Sequence, residues 1–274
     1  MKLLLIIGTH PRHRFIIEQA FEIFDEVDVI IFQREGLLPS IDSKTHNNGY
    51  STVKKHFEKR LLTEESYYGK KTILELISQL QETKINIHRT DINDLNSDNT
   101  LKFLYGKKYD LGMFMGPGII SKTLLEALPK NHINIHLGLS PWYRGSGTMF
   151  WPTFNWEPWK TGSTFHRINE HADAGSILHQ VCVEELNEKD GVHDTAAKAV
   201  LATKKALPKL INWLLSNPNE KGINQPFVGR SFLSTQIKTE HLNDIHLLRN
   251  DQTIKILQKQ GISKRPFKLY NAMQ

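Results

Sequence analysis

Short apolar runs alternate along the first half of the chain with longer segments in which apolar residues recur every three or four positions. The runs, each closed by glycine or polar residues, read "LLLIIG", "VDVIIF", "DLGMFM" and "HINIHLG". Such runs are typical of strands buried on both faces, whereas "HRFIIEQAFEIF" and "GKKTILELISQLQ" have the period of amphipathic helices. The alternation predicts an α/β fold with a doubly wound, mostly parallel sheet.

The second half of the chain continues this alternation up to about residue 215, after which its composition changes. "GSTFHRI" and "SILHQVCVEEL" predict two further strands, and "VHDTAAKAVLATKKALPKLINWLL" predicts a long helix that Pro208 is expected to kink or split. Beyond it the chain is rich in turn residues, with one weak helix expected near residues 250–260. We therefore predict a domain of residues 1–215 followed by a small C-terminal appendage, residues 216–274.

Ligands of open α/β sheets bind beyond the carboxyl ends of the strands. Three loops are predicted to lie there: residues 8–14 after the first strand, residues 116–121 after "LGMFM", and residues 134–147 after "HINIH". The polar stretch 34–52 is a further candidate for a mobile or ligand-facing loop.

The charge and cysteine content narrow the class of protein. The formal charge of +6 is spread along 274 residues, which favours an anionic ligand over a dedicated nucleic-acid module, although a solvated basic surface stays open. The single cysteine, Cys182, excludes an intramolecular disulfide and a cysteine-cluster metal site. The 13 histidines form no pair spaced for metal binding on one predicted helical face, so no metal is expected.

The N-terminal apolar run is too short for a signal peptide and is followed by no small-residue cleavage site. No stretch of the chain approaches the length of a membrane span. The sequence therefore predicts a cytoplasmic protein without a membrane partner, in which residues 3–8 form the first buried strand.

Two polar residues stand at the end of the strand predicted over "HINIH". Because residues two apart share one face of a strand, Asn134 and His136 are expected to project together into the crevice. An amide can donate to an oxygen that gains negative charge, and an imidazole moves protons near neutral pH, which suits acyl transfer without a covalent intermediate. Asp173, in the turn "ADAGSI", is the candidate carboxylate to orient the histidine, although an aspartate before glycine also serves as a simple turn former.

The ordered motifs "NIHLGLSPWYRGSG", "TGSTFHRIN" and "ADAGSI" resemble the folate-dependent formyltransferase family. That family includes glycinamide ribonucleotide, methionyl-tRNA and sugar-amine N-formyltransferases. The resemblance covers roughly residues 1–185 and implies a Rossmann-like formyltransferase fold. It also implies that Asn134, His136 and Asp173 are the catalytic triad and that 10-formyltetrahydrofolate is the donor.

The same resemblance implies a mechanism and a donor site. An amine attacks the formyl carbon, Asn134 and protonated His136 stabilise the oxyanion, and His136 or a water held by Asp173 relays the proton to the folate nitrogen that departs. The stretch "MGPGIIS" occupies the place of the family's folate loop. The candidate donor-binding residues there are Gly116, Gly118, Ile119 and Ile120. The alternative is that these glycines do not bind folate but form a strand-to-helix turn whose backbone conformation requires glycine.

The candidate acceptor-binding residues come from two stretches. Thr9 and Arg12 follow the first strand, where a helix N-terminus and a basic side chain suit a phosphate or nucleotide. Trp142, Tyr143 and Arg144 offer aromatic faces and a charge to a base or sugar ring. The alternative for the first stretch is a capped helix start, and the alternative for the second is ordinary packing of its aromatic rings.

Two departures from the family pattern favour one class of acceptor over the others. "GTHPRHRF" stands where glycinamide ribonucleotide enzymes have a phosphate loop, and residues 216–274 lack the strand-rich pattern of a tRNA-binding barrel. The chain is thus most similar to sugar-amine N-formyltransferases, and we expect a small-molecule amine, most of all a nucleotide-linked amino sugar, as acceptor. The alternatives are a methionyl-tRNA or peptide formyltransferase and a non-catalytic folate-binding relative. A homodimer is a further possibility, and a nucleic-acid partner is not expected.

Overall fold

The computed structural model describes residues 1–33, 48–80, 84–169, 171–262 and 266–274. Nine strands are found within these ranges. In chain order they are β1 (Lys2–Gly8), β2 (Glu26–Gln33), β3 (Lys84–Asp91), β4 (Leu111–Met115), β5 (His132–His136), β6 (Arg144–Gly145), β7 (Gly162–His166), β8 (Ile177–Cys182) and β9 (Ser231–Phe232).

The α-helices of the described ranges are interspersed with short 3₁₀ segments and one π-helical segment. They are α1 (Pro11–Ile17), α2 (Asn48–Tyr68), α3 (Ile73–Gln79), α4 (Asp98–Leu104), α5 (Lys122–Ala127), α6 (Trp151–Phe154), α7 (Val192–Ser216), α8 (Thr239–Asn243) and α9 (Thr253–Lys259). Helix α7 continues without interruption through Pro208, so the predicted split does not occur. Buried Leu207, Leu210 and Ile211 hold the helix against the core on both sides of the proline.

Seven strands form one sheet in the order β3-β2-β1-β4-β5-β7-β8. The first five are parallel, and β7 and β8 each pair antiparallel with their neighbours. Alternate residues of β1 enter different cores: Leu3, Leu5 and Ile7 face the α1 and α7 side, whereas Leu4 and Ile6 face the α4 and α5 side. Helices therefore cover both faces of the sheet, which confirms the predicted doubly wound α/β fold.

Strand β3 and helix α2 are the two largest elements that were not predicted from the sequence. Strand β3 lies at the edge of the sheet, where most of its side chains remain partly or fully exposed. Helix α2 begins at Asn48 and so includes the end of the stretch that the sequence suggests is a loop, whereas residues 34–47 lie outside the described residues.

The segment after α7 packs back onto the rest of the protein. Strand β9 pairs with β6, and Phe232, Leu242 and Ile245 join Tyr143 and Trp151 in a third buried cluster. Close to the chain end, the backbone N–H of Ala272 donates to the carbonyl of Leu178 at 2.8 Å. The division into residues 1–215 and an appendage stays a prediction, and the helix that precedes the appendage ends at Ser216.

Among the helices of the described ranges, none combines the length and the apolar character that crossing a bilayer requires.

Candidate active site

The carboxyl end of β5 carries two of the predicted residues. Asn134 and His136 share one face of the strand, and each is 7% exposed. Asn134 is paired in register with Phe114 of β4 on one side and His166 of β7 on the other. The sheet therefore fixes the position of both side chains from two directions.

Asp173 reaches the same place from the turn between β7 and β8. Its φ of +50° lies in the left-handed region, which aspartate tolerates better than most residues. One carboxylate oxygen accepts the Gly145 N–H at 2.8 Å, and the other lies 3.3 Å from His136 Nδ1 and 3.5 Å from His166 Nε2. The structure thus brings Asn134, His136 and Asp173 together, as the sequence predicts.

The environment of Asp173 favours its ionised form. Burial raises the pKa of this carboxyl, but the attraction of the nearby His136 and His166 rings and the hydrogen bond from the Gly145 N–H outweigh it and hold the pKa well below its usual range. A carboxylate with such a low pKa keeps its negative charge at neutral pH. It can therefore orient His136 and stabilise a positive charge on that ring.

His136 has an acceptor opposite each ring nitrogen. Its Nε2 lies 2.9 Å from the carbonyl oxygen of Tyr143, to which an N–H would donate, and its Nδ1 faces Asp173. Burial lowers the pKa of His136, opposed by the Asp173 charge and the Tyr143 carbonyl. Burial therefore favours the neutral ring, while both of its nitrogens face acceptors that would bind the imidazolium.

His166 belongs to the same network and was not singled out from the sequence. Its Nδ1 lies 2.7 Å from the Arg167 carbonyl oxygen and its Nε2 lies 3.0 Å from Nδ2 of Asn134. An Nδ1–H tautomer would donate to the carbonyl and accept one N–H of the Asn134 amide. His166 is hard to detect from the sequence, because only the antiparallel pairing of β5 with β7 places it opposite Asn134.

This arrangement leaves the Asn134 amide partly unsatisfied. Its Oδ1 is buried and has no hydrogen-bond partner among the residues that the structure describes. Its amide nitrogen carries two hydrogens, of which His166 takes one. A buried acceptor and a spare donor on one side chain suit a ligand that offers both an N–H and an oxygen.

Gly138 permits the turn that holds His136. A Cβ at this position would lie 2.5 Å from the Tyr143 carbonyl oxygen and closer still to the His136 ring. We expect Gly138→Ala to lower the free energy of unfolding by about 1–3 kcal/mol, because the bond between His136 and Tyr143 must yield. Urea unfolding measures this loss, and a variant as stable as the wild type would show that the turn relaxes freely.

His132, at the start of β5, is expected to make the stability of the protein depend on pH. Its Nδ1 lies 2.8 Å from the Pro129 carbonyl oxygen and its Nε2 accepts the Ile168 N–H at 3.0 Å, so the neutral ring is bonded at both nitrogens. Burial lowers the pKa of His132 from 6.5 to about 4. The unfolded chain binds a proton between these values that the folded ring does not, so stability falls as the pH drops through this window. Urea unfolding at several pH values should show a shallower fall for His132→Gln; an unchanged slope would contradict this assignment.

Asn134, His136 and Asp173 line a cavity of about 540 Å³, which is within the usual size of small-molecule sites. Four predicted donor-binding residues also line it: Gly116, Gly118, Ile119 and Ile120. Ile120 is buried in the second core, whereas Ile119 is 75% exposed. The glycines have φ values of +69° and +75°, so the backbone turn that was the alternative explanation is present beside the cavity.

Arg12 gives the cavity a basic wall together with residues of α2 that were not predicted. The buried carboxylate of Glu64 pairs with Arg12, lies 3.4 Å from His10 Nδ1 and lies 3.8 Å from Arg60 Nε. Burial lowers the pKa of Arg60 to about 10, which leaves it charged at neutral pH. Two guanidinium groups against one carboxylate leave a net positive charge at the cavity wall.

The other candidate acceptor residues lie outside this cavity lining. The ring of Trp142 makes edge contacts with Phe227 and Phe267, because the tail folds over it. Tyr143 is buried against Phe232. The guanidinium of Arg144 donates to the Ala172 carbonyl at 2.6 Å, so it supports the turn before Asp173 instead of facing the cavity. Thr9 is likewise outside the lining, although its neighbour Arg12 is within it.

Residues 113–211 match the formyl transferase family. The resemblance that the motifs indicated is therefore confirmed over this segment, which includes Asn134, His136 and Asp173. The segment also includes the loop from Gly116 to Ile120.

Curated relatives carry the same family name. The GDP-perosamine N-formyltransferase of Brucella melitensis is 31% identical over 121 residues, which are 42% of this chain and 46% of that protein. The methionyl-tRNA formyltransferase of Desulforamulus reducens is 30% identical over 125 residues, 44% of this chain and 36% of that protein. The alignments thus span less than half of each relative.

Solved structures share the fold. The N-formyltransferase of Helicobacter canadensis, in complex with folinic acid and dTDP-3-aminofucose, superposes with a TM-score of 0.58 at 18% identity, covering 95% of this chain and 82% of that one. At this level of identity the likeness concerns the fold alone.

Proposed function

We propose that this protein is an enzyme that transfers a formyl group from 10-formyltetrahydrofolate to the primary amine of a nucleotide-linked amino sugar. The observation that carries the proposal is the convergence of Asn134, His136 and Asp173 on one wall of a cavity whose other walls hold the candidate folate loop and two arginines. The formyl transferase match and the sugar N-formyltransferases among its relatives support it.

The residues around the cavity fit the proposed donor. The loop containing Gly116 and Gly118 turns its backbone beside the cavity, and Ile119 offers an exposed apolar surface for a flat ring. The buried, unpartnered Oδ1 of Asn134 would accept an N–H of the acceptor's amine, so this side chain is not needed to hold the donor. When bound, 10-formyltetrahydrofolate supplies an activated formyl group.

The chemistry of the chain's own residues follows from their hydrogen bonds. Asn134 has one amide N–H left after its bond to His166, and this hydrogen can be donated to an oxygen that becomes negative. His136 can take a proton from an amine or share one with that oxygen, since Asp173 stabilises the positive ring. The carboxylate stays ionised throughout and orients the imidazole.

The acceptor class is proposed from the charge of the cavity. Arg12 and Arg60 can make charge-assisted hydrogen bonds with the phosphates of a nucleotide carrier, which a free amino sugar lacks. Thr9, Trp142, Tyr143 and Arg144 stay predictions as acceptor-binding residues. A homodimer and a cytoplasmic location likewise stay predictions.

The proposal is tested with a panel of acceptors. The full chain is mixed with 10-formyltetrahydrofolate and, separately, nucleotide-linked amino sugars, the same sugars without the nucleotide, glycinamide ribonucleotide and methionyl-tRNA. We expect release of tetrahydrofolate and a formylated product with a nucleotide-linked amino sugar only. Turnover of methionyl-tRNA alone would replace the proposal with its main alternative, and donor binding without turnover of any acceptor would overturn it.

A further inference from the structure

Three histidines that the proposed reaction does not use meet beside the same cavity. His56 lies in α2, His193 in the first turn of α7, and His246 in the π-helical segment Asp244–Leu248. One nitrogen of each ring lies within 4.8 Å of those of the other two. His56 and His193 line the cavity, and they are 5% and 4% exposed.

The contacts among the rings are those of neutral imidazoles. His56 Nδ1 lies 2.8 Å from His246 Nε2, so one of the two nitrogens donates a hydrogen and the other accepts it. The ring centroids of His56 and His193 are 4.5 Å apart. Burial lowers the pKa of all three histidines, that of His56 to about 3, so none competes for protons at neutral pH.

His193 supplies the observation that points to a ligand. Its Nε2 is buried and has no hydrogen-bond partner among the described residues. Buried ring nitrogens are normally bonded to protein or to water, so an unpartnered one beside two further imidazoles requires an explanation. Neutral imidazole nitrogens that converge in a buried site are a ligand set that suits zinc and its neighbours in the first transition row.

We propose that His56, His193 and His246 form a binding site for a divalent transition-metal ion of the zinc class. Three imidazoles leave one position of a tetrahedral ion for water or for an oxygen of a bound ligand. An ion held there would connect α2, α7 and the segment after α7 at the wall of the cavity. The proposal does not depend on the formyl transfer proposed above.

Charged side chains lie beside the three histidines. Beyond burial, Arg60 lowers the pKa of His56 and His193, and Lys59 lowers that of all three histidines. The Lys59 Nζ is paired with Asp251 at 2.7 Å, and Arg60 faces the Glu64 carboxylate. The same Asp251 carboxylate lies 4.0 Å from Nδ1 of His246. A carboxylate behind a ligating histidine orients the ring and offsets part of the ion's charge.

Metal entry requires a small rearrangement. Nitrogens bound to one tetrahedral zinc are about 3.3 Å apart, given zinc–nitrogen bonds of about 2.0–2.1 Å. The ion would therefore replace the hydrogen bond between His56 and His246 and separate these rings slightly, while His193 moves closer. The sequence could not indicate this site, because its three histidines come from separate elements and share no spacing.

The test is metal binding by the full chain after removal of metal with a chelator. Zinc is titrated in competition with a chromophoric chelator, and cobalt is added separately to read the coordination from its visible spectrum. We expect one ion per chain and a tetrahedral cobalt spectrum. His193→Ala and His246→Ala should each weaken binding at least about a hundredfold, whereas the matched variant His88→Ala, in the edge strand β3, should bind as the wild type does.

Two further measurements test the metal site even if an alanine variant folds poorly. His193→Cys retains a metal ligand, so it should still bind zinc and give a cobalt spectrum with a thiolate band. Zinc should raise the melting temperature of the wild type and of His88→Ala, because it binds only the folded state. Uptake of less than one ion per chain, or equal affinity in the wild type and both alanine variants, would overturn the proposal. None of these readings involves formyl transfer.

Discussion

Replacing Asn134 or His136 by alanine is expected to lower kcat at least about a hundredfold while the formyl donor still binds. The reason is that both side chains act on charge that develops only during the reaction. The Asn134 amide donates to an oxygen as it becomes negative, and His136, facing Asp173 at 3.3 Å, takes or shares a proton at the same moment. Steady-state rates measure kcat, and equilibrium titration with the donor measures binding.

Two polar neighbours on the same stretch provide matched controls. Asn131 donates from its amide to the carbonyls of Asp110 and Leu214, and His132 bonds to Pro129 and Ile168; neither lines the cavity. Asn131→Ala and His132→Ala should therefore lower stability but leave kcat close to that of the wild type. Near-normal turnover by Asn134→Ala or His136→Ala would show that the assignment of these residues is wrong.

The second large effect is expected from Asp173→Asn. The substitution keeps the size of the side chain but removes the negative charge that faces His136 and His166. The pKa of His136 should then fall further, since the attraction of Asp173 is the larger of the two effects that oppose burial. We expect kcat to fall at least about a hundredfold, by analogy with the loss of other preorganised electrostatic groups.

Asp28 is the control for this substitution. It is a fully buried carboxylate of β2 that accepts hydrogen bonds from Asn86 at 2.7 Å and from Tyr109 at 2.8 Å, and it lies outside the cavity lining. Asp28→Asn should lower the free energy of unfolding without a comparable effect on kcat. If Asp28→Asn and Asp173→Asn lose stability and turnover in parallel, Asp173 has a structural role only.

The parts of the fold that could be predicted from the sequence are those with strong periodicity. Strands β1 and β4 are buried on both faces and read as continuous apolar runs. Strand β3 was missed because, as an edge strand, it remains partly exposed. Helix α2 was missed because few of its apolar residues are buried; His56 and Glu64 are buried on it instead. Polar residues that become buried through tertiary contacts leave no hydrophobic period to detect.

The candidate site shows the same limit. Asn134 and His136 were predictable because the two-residue period of one strand relates them, and Asp173 because its motif is distinctive. His166 and Arg60 join them only through strand pairing and helix packing, which no local pattern records. The sequence also could not indicate on which side of its loop the Trp142 ring would pack.

Formyl transfer by this protein is tested most directly in a single-turnover reaction with donor labelled at its formyl carbon. The protein in excess is mixed with labelled 10-formyltetrahydrofolate and a nucleotide-linked amino sugar, and the products are separated and identified by mass spectrometry. We expect the label to appear on the acceptor's amine nitrogen in the wild type and far more slowly in Asn134→Ala, His136→Ala and Asp173→Asn. Label recovered only as formate or as unreacted donor, or transfer that is equally fast in these variants, would contradict this expectation.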